Sequence, residues 1–181
     1  MAAFKSVSAL KKHIEAQVAK VLMTEVADVM REVQRDAINK EVYNVYPDPP
    51  VMYHRRDANG GLADPNNMVT TVSGTTLRFR NITPPNGDYD QFNTTPGLYY
   101  RTDYAYDGCE RSYVFDLPAL IEYGDAGGVG GYTHKHSSRP WGPTFLAPRP
   151  FMESTRNELK KNKFHVNALH YGLIRAGFKV K

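Results

Sequence analysis

The longest periodic run in the chain stands near its start, and it limits how everything after it can fold. Between residues 4 and 41, Val7, Leu10, Ile14, Val18, Val21, Val26, Val29, Val33 and Ala37 recur mostly three or four positions apart. That spacing places one apolar stripe along an α-helix. Lys, Glu, Asp and Arg fill the other positions, and no Pro or Gly interrupts the run. The expectation is a single amphipathic helix over 4–41 with Ser6 or Ser8 capping its start. With a rise of about 1.5 Å per residue it reaches about 50 Å. A domain of this size needs less than that to cover its own core, so part of the helix is expected to pack on a neighbouring copy. The a/d pattern drifts after Val21, which disfavours a coiled-coil dimer. Pro47, Pro49 and Pro50 end the run.

The middle of the chain, 42–123, is rich in strand formers. Tyr43, Tyr46 and Tyr53 surround the proline connection as an aromatic anchor, and Asn59-Gly60-Gly61 supplies a tight turn. Met68 to Ile82 has β-forming composition, with Leu77 and Phe79 alternating with Arg78 and Arg80. Ser73-Gly74 marks a hairpin turn or bulge. After a polar loop at 83–97, Leu98 to Tyr106 and Ser112 to Phe115 each read as a strand. Asp116 stands where a helix cap would, with Pro118 in the first turn, so Leu117 to Tyr123 is a short helix or a last strand.

A Gly-, Pro- and Ser-rich excursion, 124–148, follows. Loops this long without structure of their own are uncommon in compact domains and mostly functional or disordered. The chain re-enters order through Pro148-Arg149-Pro150-Phe151. Glu153 to Lys163 reads as a helix with Phe151, Thr155 and Leu159 along one side, and a bend is expected near Asn162. A second helix, Phe164 to Ala176, carries Val166, Leu169, Leu173 and Ile174 at helical spacing. Gly177 suits the C′ position, and Phe178-Lys179-Val180 alternates as a final strand would.

At 181 residues and a net charge of +4, the chain fits one folded domain, 1–181. No window approaches a membrane span of about 18 apolar residues, and the first residues lack the apolar core of a secretory signal. Cys109 is the only cysteine, which excludes an intramolecular disulfide and a thiolate metal cluster within one chain. Charge is unevenly spread. Pro148 to Lys181 holds eight Lys/Arg against Glu153 and Glu158, whereas Val42 to Ala147 holds eight against eleven acids. A basic tail suits nucleic acid or an acidic partner. A solvated helix face is the simpler account of it, because such a helix needs charge on its outer side.

Candidate chemistry is sparse. His134 and His136 could share one face of a strand as a zinc pair, but no third ligand is marked by spacing, and solvated loop histidines are the simpler reading. Gly124 to Gly131 lacks the Lys-Ser/Thr of a P-loop. No G-x-S-x-G elbow occurs, and Cys109 has no local basic partner beyond Arg111. No catalytic residue and no cofactor is therefore expected. The twelve tyrosines suit core and interface packing. Stacking on bases is disfavoured, since most of them lie in the acidic middle rather than beside the basic tail.

The order of elements resembles the tail-completion, or neck, proteins of long-tailed bacteriophages, minor virion proteins of the head–tail junction. The resemblance rests on the amphipathic helix leading into VYNVYPDPPVMYHRRDANGGL and on the strand MVTTVSGTTLRFR. It rests further on Ile121-Glu122-Tyr123-Gly124, on Pro148-Arg149-Pro150-Phe151, and on the closing Leu173 to Val180 run. It implies an α+β fold, in which the long N-terminal helix and the C-terminal helices pack on a small, mostly antiparallel twisted sheet. It also implies no enzymatic activity and a closed ring of identical subunits, commonly sixfold. The implied partners are neighbouring neck or connector proteins and tail tube or terminator proteins, with DNA in the lumen and no membrane. The implied place is the virion, after synthesis in the host cytoplasm. On this reading Ile121, Glu122, Gly124, Pro148, Arg149, Pro150 and Phe151 anchor the fold, with Phe151 in the core near Ile121. Tyr132, His134, His136, Arg139, Trp141 and Phe145 are candidates for docking to a neighbour. A tail terminator, or a nucleic-acid-binding module using the basic C-terminal helices, are the alternatives.

Overall fold

The computed structural model describes residues 4–44, 59–84, 90–91, 99–104, 110–115, 117–123 and 149–180. The architecture is α+β. The N-terminal run is helical from Val7 to Tyr43, three residues later at its start than expected, with Ser6 Oγ accepting from the Ala9 N–H as N-cap. It is not one regular α-helix. Helix α1 (Val7–Val21) passes through a π turn (Leu22–Val26) into α2 (Ala27–Ile38), which ends in a second π turn (Asn39–Tyr43). The Ala27 N–H reaches back five residues to the Leu22 carbonyl, and the Asn44 N–H does the same to Asn39.

Each π turn takes up one extra residue and rotates whatever follows it. The buried stripe therefore departs from the expected one. It begins at Val21 and Leu22, recurs five positions on at Val26 and Ala27, and continues through Gln34, Ala37, Ile38 and Val42. Val29 and Val33 are only half-buried, and Val7, Leu10 and Ile14 are exposed (83%, 39% and 39%). None of residues 4–20 is buried.

Strands β1 (Met68–Ser73) and β2 (Thr76–Asn81) form an antiparallel hairpin in register from Met68↔Asn81 to Ser73↔Thr76. Gly74, the first of its two turn residues, sits at φ 59, the left-handed region that a tight hairpin turn demands there. Strands β3 (Asp90–Gln91), β4 (Tyr99–Tyr104) and β5 (Glu110–Phe115) make a separate antiparallel sheet. The expected single sheet is thus two. On β1 the Arg31 guanidinium donates to the Met68 carbonyl and the Thr70 hydroxyl, 3.2 Å each. The helix engages that strand with a side chain.

Leu117–Tyr123 is helical (α3) rather than a strand. Helix α4 runs Phe151–Asn162, beginning two residues before the expected Glu153. Lys163 at φ 54 bends the chain into α5 (Phe164–Arg175). Helix α5 ends in a Schellman motif: the Gly177 N–H donates to Ile174 and the Phe178 N–H to Leu173. Residues 178–180 form no strand, contrary to expectation. The turn brings Phe178 back to α1, its ring centroid 6.2 Å from that of His13, so this segment meets the helix and not a sheet edge.

The main core joins distant parts of the chain: Ala37, Ile38 and Val42 from the helix, Leu62, Ala63 and Met68 before the hairpin, and Phe151 from α4. Beside it lies a buried polar cluster. Asn81 Nδ2 donates to the Leu62 carbonyl (2.8 Å) and to Gln34 Oε1 (3.3 Å), and Asn81 Oδ1 accepts from the Thr83 N–H (3.0 Å). Buried amides are costly unless satisfied in this way. The cluster fixes where β2 leaves the core.

Candidate functional site

The 124–148 segment leaves the described structure at α3 and returns at α4, and its two ends meet. The Arg149 N–H donates to the Ile121 carbonyl at 3.0 Å. The Glu122 carboxylate accepts from the N–H groups of Met152 (2.7 Å) and Glu153 (2.9 Å). Those are among the first donors of α4, which have no partner within the helix. Pro150, at the cap position, makes no side-chain cap bond, so a carboxylate from α3 takes over that role. It also carries the charge that a helix N-terminus favours.

Burial makes the junction firm. Glu122 is 4% exposed and Phe151 0%. Ile121, Met152 and Phe79 pack around the cluster that Phe151 completes. Thr155 Oγ1 donates to the Phe151 carbonyl at 2.7 Å, and the Ser154 hydroxyl donates to Glu41 Oε1 at 3.1 Å. The second π turn is thereby tied to α4. Glu122 and Phe151, read in the sequence as parts of two separate short motifs, form one contact.

Of the sequence-derived candidates, the structure brings together Ile121, Glu122, Arg149, Pro150 and Phe151. Gly124, Pro148 and the docking candidates Tyr132, His134, His136, Arg139, Trp141 and Phe145 lie outside the described residues, as do Tyr46, Tyr53, Cys109 and Asp116. Among the described residues no group of three or more His, Cys, Asp or Glu is placed to hold a metal ion, and no helix is long and apolar enough to cross a membrane.

Sequence reasoning missed a second contact. Gly172 is the buried residue of α5, and a Cβ added there would overlap Val21 Cγ1. The glycine lets α5 approach the first π turn, and an Arg175–Glu25 ion pair lies alongside. A glycine within an otherwise helical pattern was the available signal.

A family model described as YomN matches residues 6–175, nearly all of the chain and both halves of the junction. The chain belongs to the YomN family. That family is of phage type, so this is a phage-related protein. No curated protein and no solved structure matches it. The match carries this YomN-family chain from the Ser6 cap to Arg175. It therefore includes the 124–148 segment as well as the α3–α4 junction that closes it.

Proposed function

We propose that this protein is a structural component of the phage particle at the head–tail junction. On this reading it acts by assembling with copies of itself into a ring and docking between connector and tail, without catalysis. The observation that carries the reading is the α3–α4 junction in a phage-type chain. A buried carboxylate and a fully buried Phe151 hold together the two ends of a 25-residue excursion, 124–148. Such a base lets the intervening residues engage a neighbour while the fold beneath stays fixed. Tyr132, His134, His136, Arg139, Trp141 and Phe145 are the residues proposed to make that contact.

Electron microscopy of the virion with the protein tagged tests this reading. Density for a ring of tagged subunits between head and tail is expected. Tag confined to the tail's far end, or absent from the particle, overturns the junction assignment. A tail terminator would place the ring at the top of an unattached tail. A nucleic-acid-binding role has its own support in the basic α4–α5 region. It predicts DNA binding by the free chain that weakens steeply with salt, and absence of binding at low salt removes it.

A further inference from the structure

The bend between α4 and α5 is where positive charge goes unbalanced. From Leu159 to Lys181 there are six Lys/Arg and two His, and no Asp or Glu. Arg156 and Lys160 stand one turn apart on one side of α4, and Lys163 follows in the next turn, at the bend. All three are exposed. Among the described residues none of the three forms an ion pair. The neighbouring acids are engaged or distant. Glu158 is half-buried and accepts from Asn162 Nδ2 at 2.7 Å. Glu153 stands in the first turn of α4, about two turns from Lys160. On the elements packed against α4 and α5, Glu25 pairs with Arg175, Asp28 with Arg31 and Glu41 with Lys40.

A second observation falls on the same residue row. Among the described residues Lys163 is the one non-glycine at positive φ (φ 54). The other positive-φ positions described are Gly60, Gly74 and Gly177, where no side chain opposes that conformation. A lysine in the left-handed region is strained. Its side chain makes no cap hydrogen bond to α5 that would offset the strain. Solvation accounts for cations on the outer side of a helix. Water accepts charge of either sign there, however, so solvation explains neither a stretch without acids nor a strained lysine where glycine fits freely.

We propose that Arg156, Lys160 and Lys163 contact the phosphodiester backbone of a nucleic acid. Phosphates recur along that backbone as the cations recur along α4, and each one neutralised releases condensed counterions. Such contacts position a protein on a strand without reading its sequence. The strain at Lys163 is then offset by a charge neutralised outside the chain. This contact rests on the nucleic-acid reading above, names the residues that make it, and is compatible with a place at the head–tail junction.

Fluorescence anisotropy of the full-length protein with labelled mixed-sequence DNA, duplex and single strand in parallel, tests the contact across a salt series. The unaltered chain should bind both forms at low salt. A variant carrying Arg156→Gln, Lys160→Gln and Lys163→Gln should bind both at least tenfold more weakly, with the salt slope reduced by about one unit for each contact removed. Lys163→Gly alone should bind more weakly yet unfold at a higher temperature, because glycine relieves the strain; a lysine that serves only the fold would lower that temperature. Arg35→Gln, which removes an exposed arginine on α2, should leave affinity nearly unchanged. Circular dichroism should show all variants folded. DNA binding that survives the triple substitution, or falls no further than in Arg35→Gln, overturns the contact and leaves the nucleic-acid reading standing. Loss confined to the single strand makes the row a reader of bases and overturns it as well. Poly-glutamate bound as tightly as DNA assigns the row to an acidic protein instead. No binding of either DNA form at low salt removes the contact and the nucleic-acid reading together, without touching the junction assignment.

Discussion

Helices α4 and α5 are equal in length and adjacent in sequence, yet they meet the N-terminal helix in opposite ways. Helix α4 places Phe151, Thr155 and Leu159 against α2 and the second π turn, and all three are buried. Helix α5 lies along α1, the first π turn and α2, and buries only Gly172. Its Phe164, Val166, Tyr171 and Ile174 remain exposed. Apolar content does not separate the two, since α5 is the more apolar by composition. The difference is what each helix is given to pack on. Helix α4 meets the cluster built by the helix, the 59–68 segment and α3. Helix α5 meets one edge of a helix whose start projects beyond that cluster. Helix α4 closes the core, whereas α5 leaves apolar side chains exposed.

Substitutions can break this comparison, and the largest effect is expected at its centre. Phe151→Ala should lose about 3–5 kcal/mol, seen in urea unfolding as a midpoint shift at unchanged slope. A loss below about 1 kcal/mol would show that Phe151 is not the keystone of α4. Next comes Gly172→Ala. Its methyl group must displace Val21, and overpacking of this kind costs about 1–3 kcal/mol. Helix propensity alone predicts a gain of up to about 1 kcal/mol instead, so the sign of the thermal shift decides whether α5 is closely packed.

Glu122→Ala removes the cap of α4 from outside the helix. A loss of about 1–2 kcal/mol is expected, with faster hydrogen exchange at Met152 and Glu153 and little change in α5. Uniform acceleration across both helices would mean that the carboxylate supports more than its cap. The smallest effect belongs to the projecting end. Val7→Ser should stay within about 0.5 kcal/mol in the free chain. A larger loss would place Val7 inside the fold.

Local signals made much of this legible before any coordinates. The Ser6 cap, the Gly74 turn, the Gly177 terminus and the Phe151-Thr155-Leu159 side each follow from residue type and spacing. Phe151 beside Ile121 was also foreseen, because two short motifs bracketing a long segment must rejoin one core. The burial of the N-terminal helix was not foreseen. Periodicity at 3.6 residues cannot anticipate π turns, and Val7 and Val21 look alike to a spacing rule although one faces solvent and the other α5. The final strand failed for a related reason. Alternation at Phe178–Val180 describes a pattern, while the Schellman turn decides where the chain goes. The cap by Glu122 has no local signal, since it joins residues 30 positions apart.

The central claim is that the fold closes at the Ile121–Glu122 and Arg149–Phe151 junction and that the residues between serve assembly. Deleting residues 127–141 tests it most directly, with thermal unfolding of the isolated chain and infectious-particle yield measured on the same variant. The account predicts an unfolding midpoint within about 2 °C of the intact chain, less than 1 kcal/mol for a domain of this size, together with loss of joined particles. A chain that no longer folds, or particles produced at the normal yield, would contradict it.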